Sequence, residues 1–227
     1  MKSKNINKYN SEISTIYNEE YFERGLVTGV SGYMNYGWMP ELTIRMAHFY
    51  VMNLPIQINH KVLDFGCAKG YMVKSLRLLD VEAYGVDISE YAISNCDTQV
   101  NKFCKKIDGL EDPSLFDKQY DWMIAKDVFE HISENNLRLL LKRSLEKVNK
   151  IFAIIPLAAE NNSGKYIINE YDFDKTHIIA KTKDWWINLF SEMGWTLEIF
   201  SYNFRGCKEN WTTVFPEGNG FFVITQK

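Results

Sequence analysis

Cysteine is scarce in this chain of 227 residues: Cys67, Cys96, Cys104 and Cys207 are widely separated and form no C-x-x-C pair. That spacing excludes a disulfide framework and gives no metal cluster, so the four read as free thiols filling small apolar gaps in a reducing, cytoplasmic setting. Histidine is equally rare, with His48, His60, His131 and His177 as the only members. A positive excess is also missing. Lys plus Arg number 26 against 29 Asp plus Glu, a formal charge of -3, which excludes the electrostatic footprint of long nucleic acid. No apolar run approaches the ~18 residues of a membrane span, and Met1 to Asn7 lack the apolar centre of a secretory signal. No internal repeat or low-complexity segment interrupts the chain. What is present is 46% hydrophobic residues, enough to bury one substantial core with little room for a second full domain.

The first 30 residues are polar with interspersed aromatics (Tyr9, Tyr17, Tyr21, Phe22) and are followed by Gly25, Gly29, Gly32 and Gly37. They predict a helical or irregular lid, with a helix over Glu41–Asn53. Residues 1–55 are therefore expected to pack on a core formed by 56–227. From Lys61 strand and helix alternate. Strands are predicted at Val62–Phe65, Ala83–Asp87, Phe103–Ile107, Tyr120–Ala125 and Ile151–Pro156. Helices are predicted at Lys69–Leu79, Ser89–Val100 and Glu134–Lys147. Such alternation predicts an α/β fold with a mostly parallel sheet and helices on both faces, its ligand at the carboxyl ends of the strands. Residues 157–181 form a long polar connection with a turn at Asn161–Gly164, a length that marks a functional loop. A helix over Thr182–Met193 follows, with Thr182 as N-cap and Gly194 just past its end. Trp195–Tyr202 and Phe221–Thr225 close the sheet.

The densest signal is Val62-Leu63-Asp64-Phe65-Gly66-Cys67-Ala68-Lys69-Gly70. A buried strand here breaks into a glycine turn that opens a helix, bringing backbone N–H groups to a ligand. The glycines are spaced G-x-x-x-G, where a dinucleotide fold wants G-x-G-x-x-G. Acidic residues then recur at strand ends: Asp64, Asp87, Asp108 and Asp127. One such Asp is an ordinary turn former or cap. Four around a single glycine loop point to a site.

Over Lys61 to Pro156 this pattern resembles the class I S-adenosylmethionine-dependent methyltransferases of the small-molecule type. The resemblance implies a Rossmann-like seven-stranded, mostly parallel sheet with a closing antiparallel strand and an N-terminal helical lid. It implies S-adenosyl-L-methionine as cofactor, with S-adenosyl-L-homocysteine as product. Asp64 is then expected to help hold the cofactor's amino group, while Gly66, Cys67, Ala68 and Gly70 let the backbone approach. Asp87 takes the ribose hydroxyls, Ile88 packs on the adenine, and Asp108 accepts its amino group beside the N–H groups of Gly109 and Leu110. Ala125, Lys126 and Asp127 line the methionine end, and Tyr21 and Tyr33 belong to the lid over the cofactor. Many family members carry Gly where this chain has Ala68, and an ordinary backbone is expected there.

The fourth strand lacks the Asn/Asp-Pro-Pro-aromatic signature of enzymes that methylate nucleobase amino groups, and no carboxylate cluster suggests a catechol-type Mg²⁺ site. A small-molecule acceptor is expected, most simply a hydroxyl of a metabolite, sugar or nucleotide-linked surface-polysaccharide precursor. The base candidates are His131, after the fourth strand, and His177, in the loop segment Asp174-Lys175-Thr176-His177. N-methylation of an amine and a non-catalytic cofactor-binding subunit stay open as alternatives. The aromatic content suits a homodimer.

Overall fold

Successive residues of a strand point to opposite faces of its sheet, and in the central strands of this chain both sets are apolar. The computed structural model describes residues 15–160 and 164–227; Tyr9 and the expected turn at 161–163 lie outside them. Seven strands form: β1 (Lys61–Phe65), β2 (Glu82–Asp87), β3 (Cys104–Lys106), β4 (Tyr120–Lys126), β5 (Val148–Pro156), β6 (Trp195–Ser201) and β7 (Asn219–Gln226). They make one sheet in the order β3-β2-β1-β4-β5-β7-β6. The first five run parallel, and β7 runs antiparallel to both β5 and β6. This is the Rossmann-like arrangement expected, and its strand order reverses between β1 and β4.

The alternation assigns each face its helices. Val62, Ile124, Phe152 and Phe221 pack with Ala47 and Tyr50 of α2 (Pro40–Asn53) and with Val73 and Leu76 of α3 (Tyr71–Leu78). Their strand neighbours Leu63, Met123, Ile151 and Phe222 pack on the other face. There they meet Leu137, Leu140 and Leu141 of α5 (Glu134–Ser144) and Trp186, Leu189 and Phe190 of α6 (Lys183–Glu192). Helix α6 starts as its sequence predicts, with the Thr182 hydroxyl accepting from Trp185 N, and Gly194 follows it with φ 91. The short helices α1 (Gly25–Thr28), α4 (Glu90–Ser94) and α7 (Glu209–Val214) complete the set.

The helix predicted over Ser89–Val100 stops at Ser94. Asn95 turns its side-chain amide back onto the Tyr91 carbonyl at 2.8 Å, and Asp97 takes the Gln99 N–H and the Lys74 ammonium. These side-chain bonds compete with helix continuation, as Asn and Asp characteristically do. Helix α7 has no counterpart in the sequence reading, because Pro216 and the glycines around it hide so short a segment.

Candidate active site

Strand β1 hands over to α3 through the loop Gly66–Gly70. Gly66 and Gly70 adopt φ 80 and 77, and a Cβ would meet Val128 Cγ2 at 2.6 Å in the first and Cys96 Sγ at 2.7 Å in the second. No other residue fits either place. Ala68, between them, has φ 47, which overturns the ordinary backbone expected for it. The left-handed conformation costs roughly 1–2 kcal/mol in a residue with a Cβ. It is held because Ala68 N–H donates to Asp87 Oδ2 at 2.8 Å, while Gly66 N and Cys67 N both donate to the Val86 carbonyl. Thus β2 shapes the loop that follows β1, a tertiary effect that steric reasoning on Ala68 alone does not contain.

Asp87 also accepts from Ser89 N at 2.7 Å, and Ser89 Oγ caps α4 by accepting from Ala92 N. Burial raises the Asp87 carboxyl above its usual range, and the Ser89 and Ala68 N–H groups work against that rise. At least one of its roughly four lone-pair positions remains for a ligand.

A cavity crosses the carboxyl ends of β1, β2 and β4. It is lined by Gly66, Ala68, Asp87, Ile88, Gly109, Leu110 and Asp127, with Tyr17, Tyr21, Phe22 and Tyr33 from the N-terminal segment and His131 at one end. Lys69 anchors that segment to the loop, donating to the Tyr36 carbonyl at 2.9 Å and pairing with Glu23. Most of the cofactor residues expected from sequence therefore share one wall.

The exceptions are informative. Asp64, Cys67 and Gly70 are buried behind the loop and do not line the cavity. Burial, reinforced by the charge of Asp87, pushes the Asp64 carboxyl up to about 7, and Lys126 only partly offsets this. Asp108 is a correction. Its side chain is 83% exposed and paired with Lys106, and its N–H is held by Asp112 Oδ2 at 2.8 Å, so the carboxylate turns away from the cavity. Lys126 faces a second cavity instead of the first.

That second cavity continues from the first past His131. Tyr21, Tyr33 and Asp127 belong to both, and Lys126, Glu130, Tyr171, Asp174, His177 and Lys208 are added. His131 and His177, the two base candidates, come together with ring centroids 4.6 Å apart. The contact arises because Ile178 N and Ile179 N donate to the Glu130 carbonyl at 2.9 and 3.1 Å, docking the 157–181 segment on the turn Phe129–His131. Burial, and then the neighbouring His177, pull the His131 imidazole down to about 4.

Sequence reasoning missed Glu130 and Lys208. Glu130 is fully buried, with neither carboxylate oxygen hydrogen-bonded among the described residues, and burial holds its carboxyl well above the usual range. Lys208 donates to Tyr171 Oη at 2.7 Å, to Asn219 Oδ1 at 2.8 Å and to Asp127. Burial alone would favour the neutral acid at Asp127, but Lys126 and Lys208 outweigh it and hold that carboxyl far below the usual range. Glu130 carried a signal in its position, directly before a candidate histidine. Lys208 carried none.

A doubly wound sheet with a glycine-loop cleft at its reversal point defines a class I, Rossmann-like methyltransferase architecture. The chain belongs to the methyltransferase-domain family, whose sequence profile matches residues 38–199. S-adenosyl-L-methionine is accordingly the cofactor. The residues present fit it: the loop backbone reaches the cavity wall where Gly66 has no room for a side chain, and Asp87 keeps acceptor positions free.

No curated protein matches the chain in sequence. Among solved structures, a SAM-dependent methyltransferase from Archaeoglobus fulgidus is 20% identical with a TM-score of 0.58, over 81% of this chain and 94% of that one. The methyltransferase in complex with the Haloferax volcanii Trm112 activator is 13% identical with a TM-score of 0.62, over 83% and 92%. The pyocyanin biosynthetic protein PhzM is 14% identical with a TM-score of 0.58; the match takes in 82% of this chain but only 55% of PhzM. At these identities the likeness is one of fold. Among the described residues no helix is long and apolar enough to cross a membrane.

Proposed function

We propose that this chain transfers a methyl group from S-adenosyl-L-methionine to an oxygen of a small-molecule acceptor. The observation that carries the reading is the joining of two cavities at His131, one walled by the glycine loop and Asp87, the other by polar side chains. In this reading Asp87 anchors the ribose, and Ile88, Gly109 and Leu110 enclose the adenine. Tyr21 and Tyr33, in a lid formed within residues 1–55, exclude water from the shared wall. The acceptor enters the second cavity beside the 157–181 segment.

The cofactor supplies an activated sulfonium, so the protein's main task is to align the acceptor for in-line displacement. His131 and His177 line the space where the acceptor's hydroxyl would lie, beside Lys126, which pairs with Asp127. A sugar or nucleotide-linked building block of a surface polysaccharide offers such a hydroxyl. PhzM, named for pyocyanin biosynthesis, gives the small-molecule reading a parallel on the same fold.

Calorimetric titration with S-adenosylhomocysteine tests the cofactor half. Wild type is expected to bind with micromolar affinity. Asp87→Ala is expected to bind about 10–100-fold more weakly, the worth of hydrogen bonds to a charged group. A folded wild type that binds nothing would sink the reading. Tight binding without transfer across a panel of hydroxylated acceptors would turn it into a cofactor-binding subunit.

A further inference from the structure

Three side chains with metal-ligating atoms meet in the second cavity although no sequence spacing announces them. One donor atom from each of Glu130, His131 and His177 lies within 4.8 Å of the others. The Glu130 residue is 0% exposed and its two oxygens are unpartnered among the described residues. A buried carboxylate without hydrogen bonds is costly in its charged form, and a bound cation offsets that cost.

The two imidazoles are already turned to serve. His177 Nδ1 lies 2.7 Å from the Tyr171 carbonyl, which can only accept, so Nδ1 carries the proton. His131 Nδ1 lies 2.8 Å from Thr176 Oγ1, whose own hydrogen goes to Asp174 Oδ1, so here too the ring donates. In the neutral rings each Nε2 therefore keeps its lone pair. A ligating histidine whose other nitrogen donates to a carbonyl, or through a hydroxyl to a carboxylate, is the usual outer-shell arrangement of metal sites. Bonds of ~2.0–2.2 Å place tetrahedral ligands about 3.4 Å apart, so donors within 4.8 Å of one another close on one centre with side-chain shifts of about an ångström.

We propose that Glu130, His131 and His177 bind a divalent transition-metal cation at the acceptor end of the cleft. Two imidazoles and one carboxylate suit zinc, iron(II), manganese or cobalt better than calcium or magnesium, which prefer all-oxygen sets. Three protein ligands leave positions open to the cavity. The cation site rests on these side chains alone; its role rests on the methyltransferase reading. In that role an open position takes the acceptor's hydroxyl oxygen and favours loss of its proton to solvent. The oxygen's electron pair then forms the bond to the methyl carbon, the carbon–sulfur pair leaves on sulfur, and the neutral thioether is released.

The test uses the full chain, stripped with a chelator and titrated with Co²⁺, followed by visible absorption and calorimetry. One Co²⁺ per chain is expected, with ligand-field bands. His177→Ala and Glu130→Gln are each expected to weaken binding by at least about 100-fold, the upper range for loss of even an outer partner. Absence of saturable binding, or unchanged affinity in both variants, overturns the site. Thermal denaturation checks each fold, and His177→Gln replaces an unfolded His177→Ala. Parallel S-adenosylhomocysteine titrations separate the two proposals. A wild type that binds S-adenosylhomocysteine but no Co²⁺ strikes the cation site alone, and one that binds Co²⁺ but no S-adenosylhomocysteine strikes the methyltransferase reading alone.

Discussion

The two ends of the cleft are built from different material. At the end proposed for the cofactor the wall is largely backbone: the turn Gly66–Gly70, the end of β2 at Asp87, and the N–H groups of Ala68 and Ser89 that Asp87 gathers. Its pieces sit within a few residues of strand ends. At the end proposed for the acceptor the wall is side chains from distant segments, with Glu130 and His131 on one turn, Asp174 to His177 on a loop, and Lys208 and Asn219 from the connection between β6 and β7 and the start of β7. A backbone site demands particular residue types at fixed spacing, whereas a side-chain site demands only that the fold bring the right groups together. The difference predicts that the two ends fail separately when altered.

The sharpest way to break that separation is Gly66→Val. Its φ of 80 and the 2.6 Å approach of Val128 leave no place for a side chain, so the loop must move. S-adenosylhomocysteine affinity is expected to fall by about 100-fold, roughly 3 kcal/mol, by calorimetry. His177→Ala, at the other end, is expected to leave that affinity within about threefold, under 1 kcal/mol. A comparable loss in both variants would mean the two cavities act as one unit.

Lys208→Met tests whether the acceptor end also supports the fold. The Lys208 side chain is 8% exposed and its ammonium serves Asp127, Tyr171 and Asn219 together. Breaking a buried ion pair by removing one partner costs about 3–5 kcal/mol. Lys126 stays beside Asp127, which places the expected loss near the lower figure, read from urea unfolding. A loss below about 1 kcal/mol would assign Lys208 to the ligand and not to the fold.

The same division explains what was legible in the sequence. The sheet was readable because Val62/Leu63, Ile124/Met123 and Phe152/Ile151 send apolar side chains to both faces, which a parallel α/β sheet requires. The shape of the glycine loop and its contact with Asp87 follow a spacing the sequence carries, small residues at a turn and an acid at a strand end. Glu130 and Lys208 were not readable, since their roles depend on contacts with residues dozens of positions away. Asp108 lies outside the cavity for a related reason: its position after a strand constrains the backbone, and its exposed carboxylate pairs with Lys106.

Asp64 extends the comparison to pH. Burial, and then the Asp87 carboxylate, push its carboxyl up to about 7 from 3.8, and the Lys126 ammonium pulls more weakly the other way. Below the unfolded value both states hold the proton. Between about 4 and 7 the folded state holds it and the unfolded state does not, so stability falls as pH rises, and it levels off above 7. The shift corresponds to roughly 2–4 kcal/mol as an order of magnitude. Asp64→Asn is expected to lose that part of the slope in urea unfolding at a series of pH values. An identical slope in the variant would transfer the effect to Asp87 or Glu130, whose carboxyls are raised by burial as well.

The smallest expected effect runs in the opposite direction and concerns Ala68. A methyl group at φ 47 carries strain that glycine would not, yet glycine widens the freedom of the unfolded chain by about 0.5–1 kcal/mol. Strain of roughly 1–2 kcal/mol outweighs that entropy. Ala68→Gly is therefore expected to gain up to about 1 kcal/mol and to raise Tm by a few degrees. Its hydrogen bond to Asp87 comes from the backbone and survives the change, so S-adenosylhomocysteine affinity should hold. A variant less stable than wild type would show that Ala68 is held by packing of its methyl group among the N-terminal aromatics Tyr17, Tyr21 and Phe22, whose cluster it borders. The loop's shape would then depend on the segment that covers it, and the cofactor end would be less local than its backbone suggests.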